Sequence, residues 1–193
     1  MKLILNVIVF VCILSPAAVG AEAYTSEYVG ETSRQIKSLS PADIETLKTG
    51  GGWGLAKVAE LNGMPGPAHV LQMRHKINLT DEQARQIQAL FNQMKTQAIP
   101  LGERLIELEA ALNQGFSQRT VTPTSLEQSV DAIAKVRAQL RRVHLSAHLK
   151  TPEILSKEQI QRYNALRGYA KDPCANIPEG HHAAMWKKHN GCE

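Results

Sequence analysis

TDEQARQIQALFNQMKTQAIPLGERLIELEAALN, residues 80–113, carries apolar side chains at Ile87, Phe91, Met94, Ala98, Leu101, Leu105, Leu108 and Leu112. Steps of four and three alternate without a break. That is the spacing of one helix face seated on a partner helix at a shallow angle. Pro100 lies inside the run. It lacks a backbone donor and crowds the preceding turn, so a kink rather than a break is expected. Gly102 reads as added backbone freedom just after it. Asn113-Gln114-Gly115 closes the pattern, with Gly115 placed as the C-cap glycine.

A second amphipathic run starts after Thr122-Pro123-Thr124, where proline suits the first helical turn. Its apolar face is Leu126, Val130, Ile133, Val136, Leu140, Val143 and Ala147, and it ends at Lys150-Thr151-Pro152. Two long helices with a short connector are expected to lie antiparallel. A shorter helix follows, with Ile160, Tyr163, Leu166 and Tyr169 on one side and Gly168 near its end. Before the hairpin, Pro41 to Lys48 reads as a short helix, Gly50-Gly51-Gly52 as a break, and Trp53 to Leu61 as helix-compatible. Met64-Pro65-Gly66-Pro67 reads as a turn, and Ala68 to Lys76 as helical again. No strand periodicity occurs. The expected fold is all-α: a long antiparallel hairpin over about residues 80–150 with a kinked first helix, and shorter helices before and after it.

One phrase occurs three times: Leu39-Ser40-Pro41-Ala42-Asp43, Leu79-Thr80-Asp81-Glu82-Gln83 and Leu155-Ser156-Lys157-Glu158-Gln159. Each is an apolar residue, a hydroxyl, and an acid or amide three positions later. The hydroxyl accepts from the N3 amide while the N3 side chain reaches back to the N-cap amide. The leading leucine can staple onto N4, which is Ile44, Ala84 or Ile160.

Met1-Lys2, the apolar run Leu3–Leu14 and the small residues to Ala21 have the pattern of a secretory signal over residues 1–23, cleaved after Gly20 or Ala23. The run is short for a bilayer span, so no stable membrane insertion is expected; an uncleaved anchor is the alternative. Cys12 lacks a lipoprotein-type context. Removing the signal leaves Cys174 and Cys192 of the three cysteines. In an exported chain the pair suggests a disulfide; the alternative is that the thiols and nearby imidazoles hold a soft metal. Residues 24–170 then form one domain, and 171–193 a Cys/His-bearing tail. The net charge of +4 over 193 residues suits acidic or unfolded chains and is too weak and scattered for nucleic acid.

The second and third phrases, Leu-Thr/Ser-x-x-Gln, resemble the LTxxQ motifs of the Spy/CpxP group of small periplasmic proteins, which includes refolding chaperones and heavy-metal sensors. The likeness covers about residues 79–170. It implies a periplasmic location, a curved antiparallel homodimer with a basic, partly apolar concave face, and envelope-stress work. Partners implied are unfolded or misfolded envelope proteins, with a membrane sensor kinase or other regulatory protein as a further partner.

No catalytic constellation is present: there is no His-Glu-x-x-His, no phosphate-binding glycine loop and no Cys-x-x-Cys. A non-enzyme that requires no cofactor is expected. His144 and His148, four apart on a helix, can face one metal ion; His144 also suits a packed core position. His69 and Met73 repeat the spacing, and with a carboxylate such as Glu60 they resemble the ligand chemistry of the nickel- and cobalt-sensing relatives. Imidazole suits Zn, Ni, Co or Cu. The tail adds His181, His182 and His189, clustered and exposed in pattern. On the second long helix, Arg137, Arg141 and Arg142 lie away from the apolar stripe and are the residues expected to bind clients. The leading expectation is therefore an ATP-independent chaperone, and the alternative a metal-binding or metal-sensing protein.

Overall fold

Side-chain hydroxyls set where the helices begin. In the computed structural model, which describes residues 24–171, 174–190 and 192, Ser40, Thr80 and Ser156 each accept from the N3 amide. Asp43, Gln83 and Gln159 each return a bond to the N-cap amide. A fourth such box, Thr122 with Ser125, starts the second long helix; the sequence reading marks only its proline.

The chain divides into two units, Met1–Thr32 and Ser33–Glu193. The described part of the first holds a short 3-10 turn, Val29–Glu31. The expected signal segment and Cys12 lie outside the described residues. The second unit contains α1 (Pro41–Lys48), α2 (Lys57–Glu60), α3 (Pro67–Gln72), α4 (Asp81–Ser117), α5 (Pro123–Ile154), α6 (Lys157–Leu166) and α7 (Ala183–His189). The fold is all-α, with no strand among the described residues. None of the described helices is long and apolar enough to cross a membrane.

α4 and α5 pack on each other as the hairpin. They run 37 and 32 residues; at 1.5 Å per residue each is about 50 Å long. Two helices alone leave one side of their seam wet, and the N-terminal segment covers it. Ala98 and Leu105 of α4, and Ile133, Val136 and Leu140 of α5, share one core with Ile36, Leu39 and Leu47. Gly102 serves this contact. A Cβ there would run into the Leu47 carbonyl, so the glycine admits α1 at close range rather than loosening the helix after Pro100.

Several boundaries differ from the sequence reading. α4, which runs unbroken through Pro100 as expected, continues past Gly115 to Ser117, and Arg119, at φ 56°, takes the left-handed position beyond it. Gly115 instead makes room for Val121. α5 runs through Pro152 to Ile154. Leu126 and Val130, expected on its buried face, are exposed, as is Leu166 of α6.

A second core closes the open end of the hairpin. Val70 of α3, Ile77, Ile87 of α4, Leu155 and Tyr163 of α6 are buried together. The capping glutamines lock this end. Because Gln83 Oε1 and Gln159 Oε1 accept from their own N-cap amides (3.1 and 2.9 Å), both side-chain NH2 groups remain available. Gln83 Nε2 donates to the Ile154 carbonyl (2.9 Å) and Gln159 Nε2 to the Asn78 carbonyl (3.1 Å). The two amides also meet each other, each Nε2 lying 2.9 Å from the other's Oε1. The repeated Leu-Thr/Ser-x-x-Gln phrase thus caps two helices and fastens one to the other. A glutamate would cap equally well but could not donate.

At the other core, the Asp43 carboxylate accepts from Ser40 Oγ (2.6 Å), Trp53 Nε1 (2.8 Å) and the Ser40 amide (2.8 Å). These bonds, the Ser40 hydroxyl first, hold its carboxyl below the ordinary 3.8. Arg137, exposed on α5, lies over the Trp53 ring, 4.9 Å from its centroid.

Two outcomes test this account. Gln83→Glu keeps the cap acceptor and loses two donors; it is expected to lower unfolding free energy by about 1–3 kcal/mol in urea titration. Gln97→Glu, on the exposed side of α4, should stay within about 0.5 kcal/mol. For Asp43 the carboxyl pKa is lower folded than unfolded, so as pH falls the unfolded chain takes the proton first. Its stabilisation is complete above 3.8 and lost as pH drops through the folded value. Urea midpoints measured across the acid limb should therefore fall less steeply in Asp43→Asn than in the wild type.

Candidate metal centre

α2 is a single turn whose burial is the reverse of its hydropathy. Val58 and the following Leu61 are exposed, while Glu60 is 8% exposed. A buried carboxylate must be met by donors or cations, and they arrive from three other elements. Tyr163 Oη donates to Glu60 Oε1 at 2.5 Å and Tyr169 Oη at 3.3 Å. Arg167 Nε lies 3.2 Å and His69 Nδ1 3.3 Å from the same oxygen. His148 Nδ1 stands 3.9 Å from Oε2. Burial, then the bond to Glu60, push the Tyr163 phenol far above its ordinary value, so it stays a donor throughout the physiological range.

The tautomer of His148 follows from its neighbour. Nδ1 is 2.9 Å from the Met64 carbonyl, which can only accept, so Nδ1 carries a proton and, in the neutral ring, the lone pair is on Nε2. Gly66 clears that side of the ring: a Cβ there would sit 2.5 Å from Nε2. One turn back on α5, His144 is 3% exposed and its Nε2 has no partner. Burial, then the neighbouring His148, hold it below the ordinary histidine value, which keeps the ring neutral. Glu60, His69, His144 and His148 line one cavity of about 650 Å³, together with Phe91, Met94 and Lys95 of α4 and with Arg167 and Tyr169.

The structure brings together His69, His144 and His148 of the residues singled out in the sequence, with Glu60 beside them. It does not bring Met73 to them. α3 ends at Gln72, which makes Met73 the C-cap, and Met73 packs on the second core. The tail histidines His181, His182 and His189 are exposed, and the His181 ring meets Trp186 edge-on at 4.8 Å. Cys174 and Cys192 are joined as a disulfide, with Cα atoms 5.4 Å apart, which takes both thiols out of soft-metal chemistry. Arg141 and Arg142 are exposed on α5. Tyr163, Arg167, Tyr169 and Gly66 belong to the site and were not marked for it. A phenol on an apolar helix face reads as core, and nothing near Arg167 in sequence points to α2.

Residues 50–162, more than half of the chain, match the family model described as heavy-metal resistance. The chain belongs to the heavy-metal resistance family. This family is related to the Spy/CpxP-like LTxxQ proteins. The matched span runs from the glycine turn through the hairpin into α6, and so contains Glu60 and all three cavity histidines. No curated protein and no solved structure matches the chain.

A heavy-metal ion is what the family description implies, and the cavity lining carries donor types that such an ion takes. Imidazoles are borderline ligands suited to Zn, Ni, Co or Cu, and the carboxylate adds a harder oxygen donor. The unpartnered Nε2 of His144 and the space a Cβ on Gly66 would fill are the features a ligand at this place would use. The side chains are gathered rather than converged: no three His, Cys, Asp or Glu among the described residues close on one point.

Removing the Tyr163 hydroxyl takes the shortest hydrogen bond away from a buried carboxylate. Tyr163→Phe is expected to cost about 1.5–3 kcal/mol in denaturant unfolding, and Tyr163→Phe with Glu60→Gln less than the sum of the two single changes.

Proposed function

We propose that this chain is a non-catalytic, exported envelope protein that binds a divalent transition-metal ion, with Glu60, His69, His144 and His148 as the ligand-bearing side chains. The observation that carries the reading is the meeting of α2, α3 and α5 around one cavity. It places a buried carboxylate beside three imidazoles, one of them with an unpartnered ring nitrogen. Membership of the heavy-metal resistance family supports it. The weight thus moves from the chaperone reading, which leads on sequence alone, to the metal reading. His148, oriented through Nδ1 by the Met64 carbonyl, presents Nε2; the neutral His144 presents a lone pair without having to lose a proton. Glu60 supplies the negative charge.

The chaperone reading, with unfolded envelope proteins as clients, keeps one observation in its favour. Phe116, Leu126 and Val130 are exposed around the α4–α5 turn, with the exposed Arg141 and Arg142 further along α5. A mixed apolar and cationic surface of that kind binds unfolded chains weakly, and its ionic part fades with salt. Aggregation suppression that survives Arg141→Gln with Arg142→Gln and is insensitive to salt would remove the basic face from that reading.

Titration calorimetry of the mature chain with nickel, cobalt, copper and zinc chlorides tests the metal site. His148→Ala and His69→Ala are each expected to weaken binding by about tenfold or more. Changing His181, His182 and His189 together to Ala should leave the tight site unaltered. Equal affinity in the wild type and in a Glu60→Gln, His148→Ala double variant would remove the cavity from the metal reading.

A further inference from the structure

We propose that Arg167 is a built-in competing cation that sets the metal affinity of this site, and that a metal ion taking Glu60 displaces Arg167 and unhooks the segment 167–169 from the cavity mouth. The inference rests on the metal reading and adds to it a residue that fixes the threshold and a part of the chain that moves.

Arg167 is the C-cap of α6. Its Nε lies 3.2 Å from Glu60 Oε1, and its Nη2 donates to Tyr169 Oη at 3.0 Å. Gly168, at φ 74°, turns the chain, and Tyr169 comes back to the oxygen that Arg167 touches, its hydroxyl 3.3 Å from Oε1. The guanidinium also lies over the Tyr169 ring. Residues 167–169 thus form a hook at the cavity, and both side chains line it. The amides of the hook are held by two carbonyls of α6, Gly168 N to Ala165 O at 3.0 Å and Tyr169 N to Asn164 O at 2.8 Å.

Glu60 is the one carboxylate of the cavity lining, and Oε1 already faces four side chains. A divalent ion that takes both carboxylate oxygens needs the same lone pairs. Tyr163 can stay bonded at the rim of a ligating carboxylate, and the histidines can turn from neighbour to ligand. Arg167 can do neither. Guanidinium has no lone pair to give and does not lose its proton in proteins, and like charges repel strongly at contact distance in a site partly screened from water. It has to leave. Its side chain is one-third exposed, so a path to solvent is open. Tyr169 loses its guanidinium partner in the same step. By linkage, whatever metal binding spends on displacing the hook, the hook withholds from metal affinity.

The test uses the mature wild-type chain, Arg167→Gln and Arg167→Lys, with nickel and zinc chlorides as probes. Calorimetry should give Arg167→Gln an affinity higher than wild type by roughly tenfold or more, with Arg167→Lys between them. Hydrogen exchange at the Gly168 and Tyr169 amides of the wild type should quicken when metal is added. In Arg167→Gln it should be fast with or without metal. The exchange measurement on the wild type decides the matter if Arg167→Gln fails to fold. Unchanged affinity in a folded Arg167→Gln, or metal binding that leaves those two amides as slow as before, overturns the inference while the metal site stands. If neither wild type nor Arg167→Gln binds either metal, the site itself is wrong and the inference goes with it. Binding by Arg167→Gln alone would be the strongest support, because the arginine would then block the site outright.

Discussion

A carboxylate taken out of water has to be met by something, and Glu60 is met by three other elements of the chain. Tyr163 and Arg167 come from α6 and its end, His69 from α3, His148 from α5. The carboxylate itself sits on one turn of helix with exposed apolar neighbours, a placement no propensity of that turn would favour. An apolar residue at the same place could fill space but would not require two phenols, a guanidinium and two imidazoles to arrive together. A buried ion left without those partners is costly. The position of α2 is therefore specified by charge satisfaction as much as by apolar contact. Where such specification gathers imidazoles around a cavity, structure and ligand chemistry become the same arrangement.

That arrangement depends on a rigid frame, and the frame is fastened at the open end of the hairpin. Gln83 and Gln159 each cap a helix with the oxygen and cross-link with the nitrogen. The pairing fixes the start of α6 against the start of α4, and from there α6 delivers Tyr163 to the second core and its C-terminus to Glu60. The other core is separate. It joins α1 to the middle of the hairpin through the close approach at Gly102, and Asp43 ties α1 to Trp53 in the glycine turn that leads to α2. Glu60 is thus held between an anchored turn on one side and an anchored helix on the other.

The same frame bears on which activity the chain supports. The sequence places cations on α5 away from its apolar stripe and leads toward client binding. Arg137, one of the three, is exposed and lies over the Trp53 ring. The exposed Arg141 and Arg142 remain with an apolar surface at the hairpin turn. The tail's two cysteines are joined in a disulfide, which leaves its histidines without thiolate ligands to share an ion. Among the described residues, the Glu60 cavity is lined by a carboxylate together with three imidazoles.

The sequence by itself determined what is local. Period and caps were enough for the hairpin, its partner helix, α1 and α6, because a 3.6-residue repeat and a hydroxyl three residues before an amide act within one turn. They were enough, too, to single out His144 with His148, since helical spacing alone puts them on one side. Pairing Met73 with His69 failed because Met73 packs on the second core while His69 lines the Glu60 cavity. Reading Gly102 and Gly115 as flexibility or termination failed for a related reason: each answers to a neighbour distant in the chain or around a turn, Leu47 in one case and Val121 in the other. Only the tertiary structure could decide that Glu60 turns inward, that Tyr163, Arg167 and Tyr169 come to it from a hundred residues away, and that the glutamines of two caps bond to each other. Those contacts are set by which charges and amides must find partners once water is excluded, and one dimension of sequence does not record who those partners are.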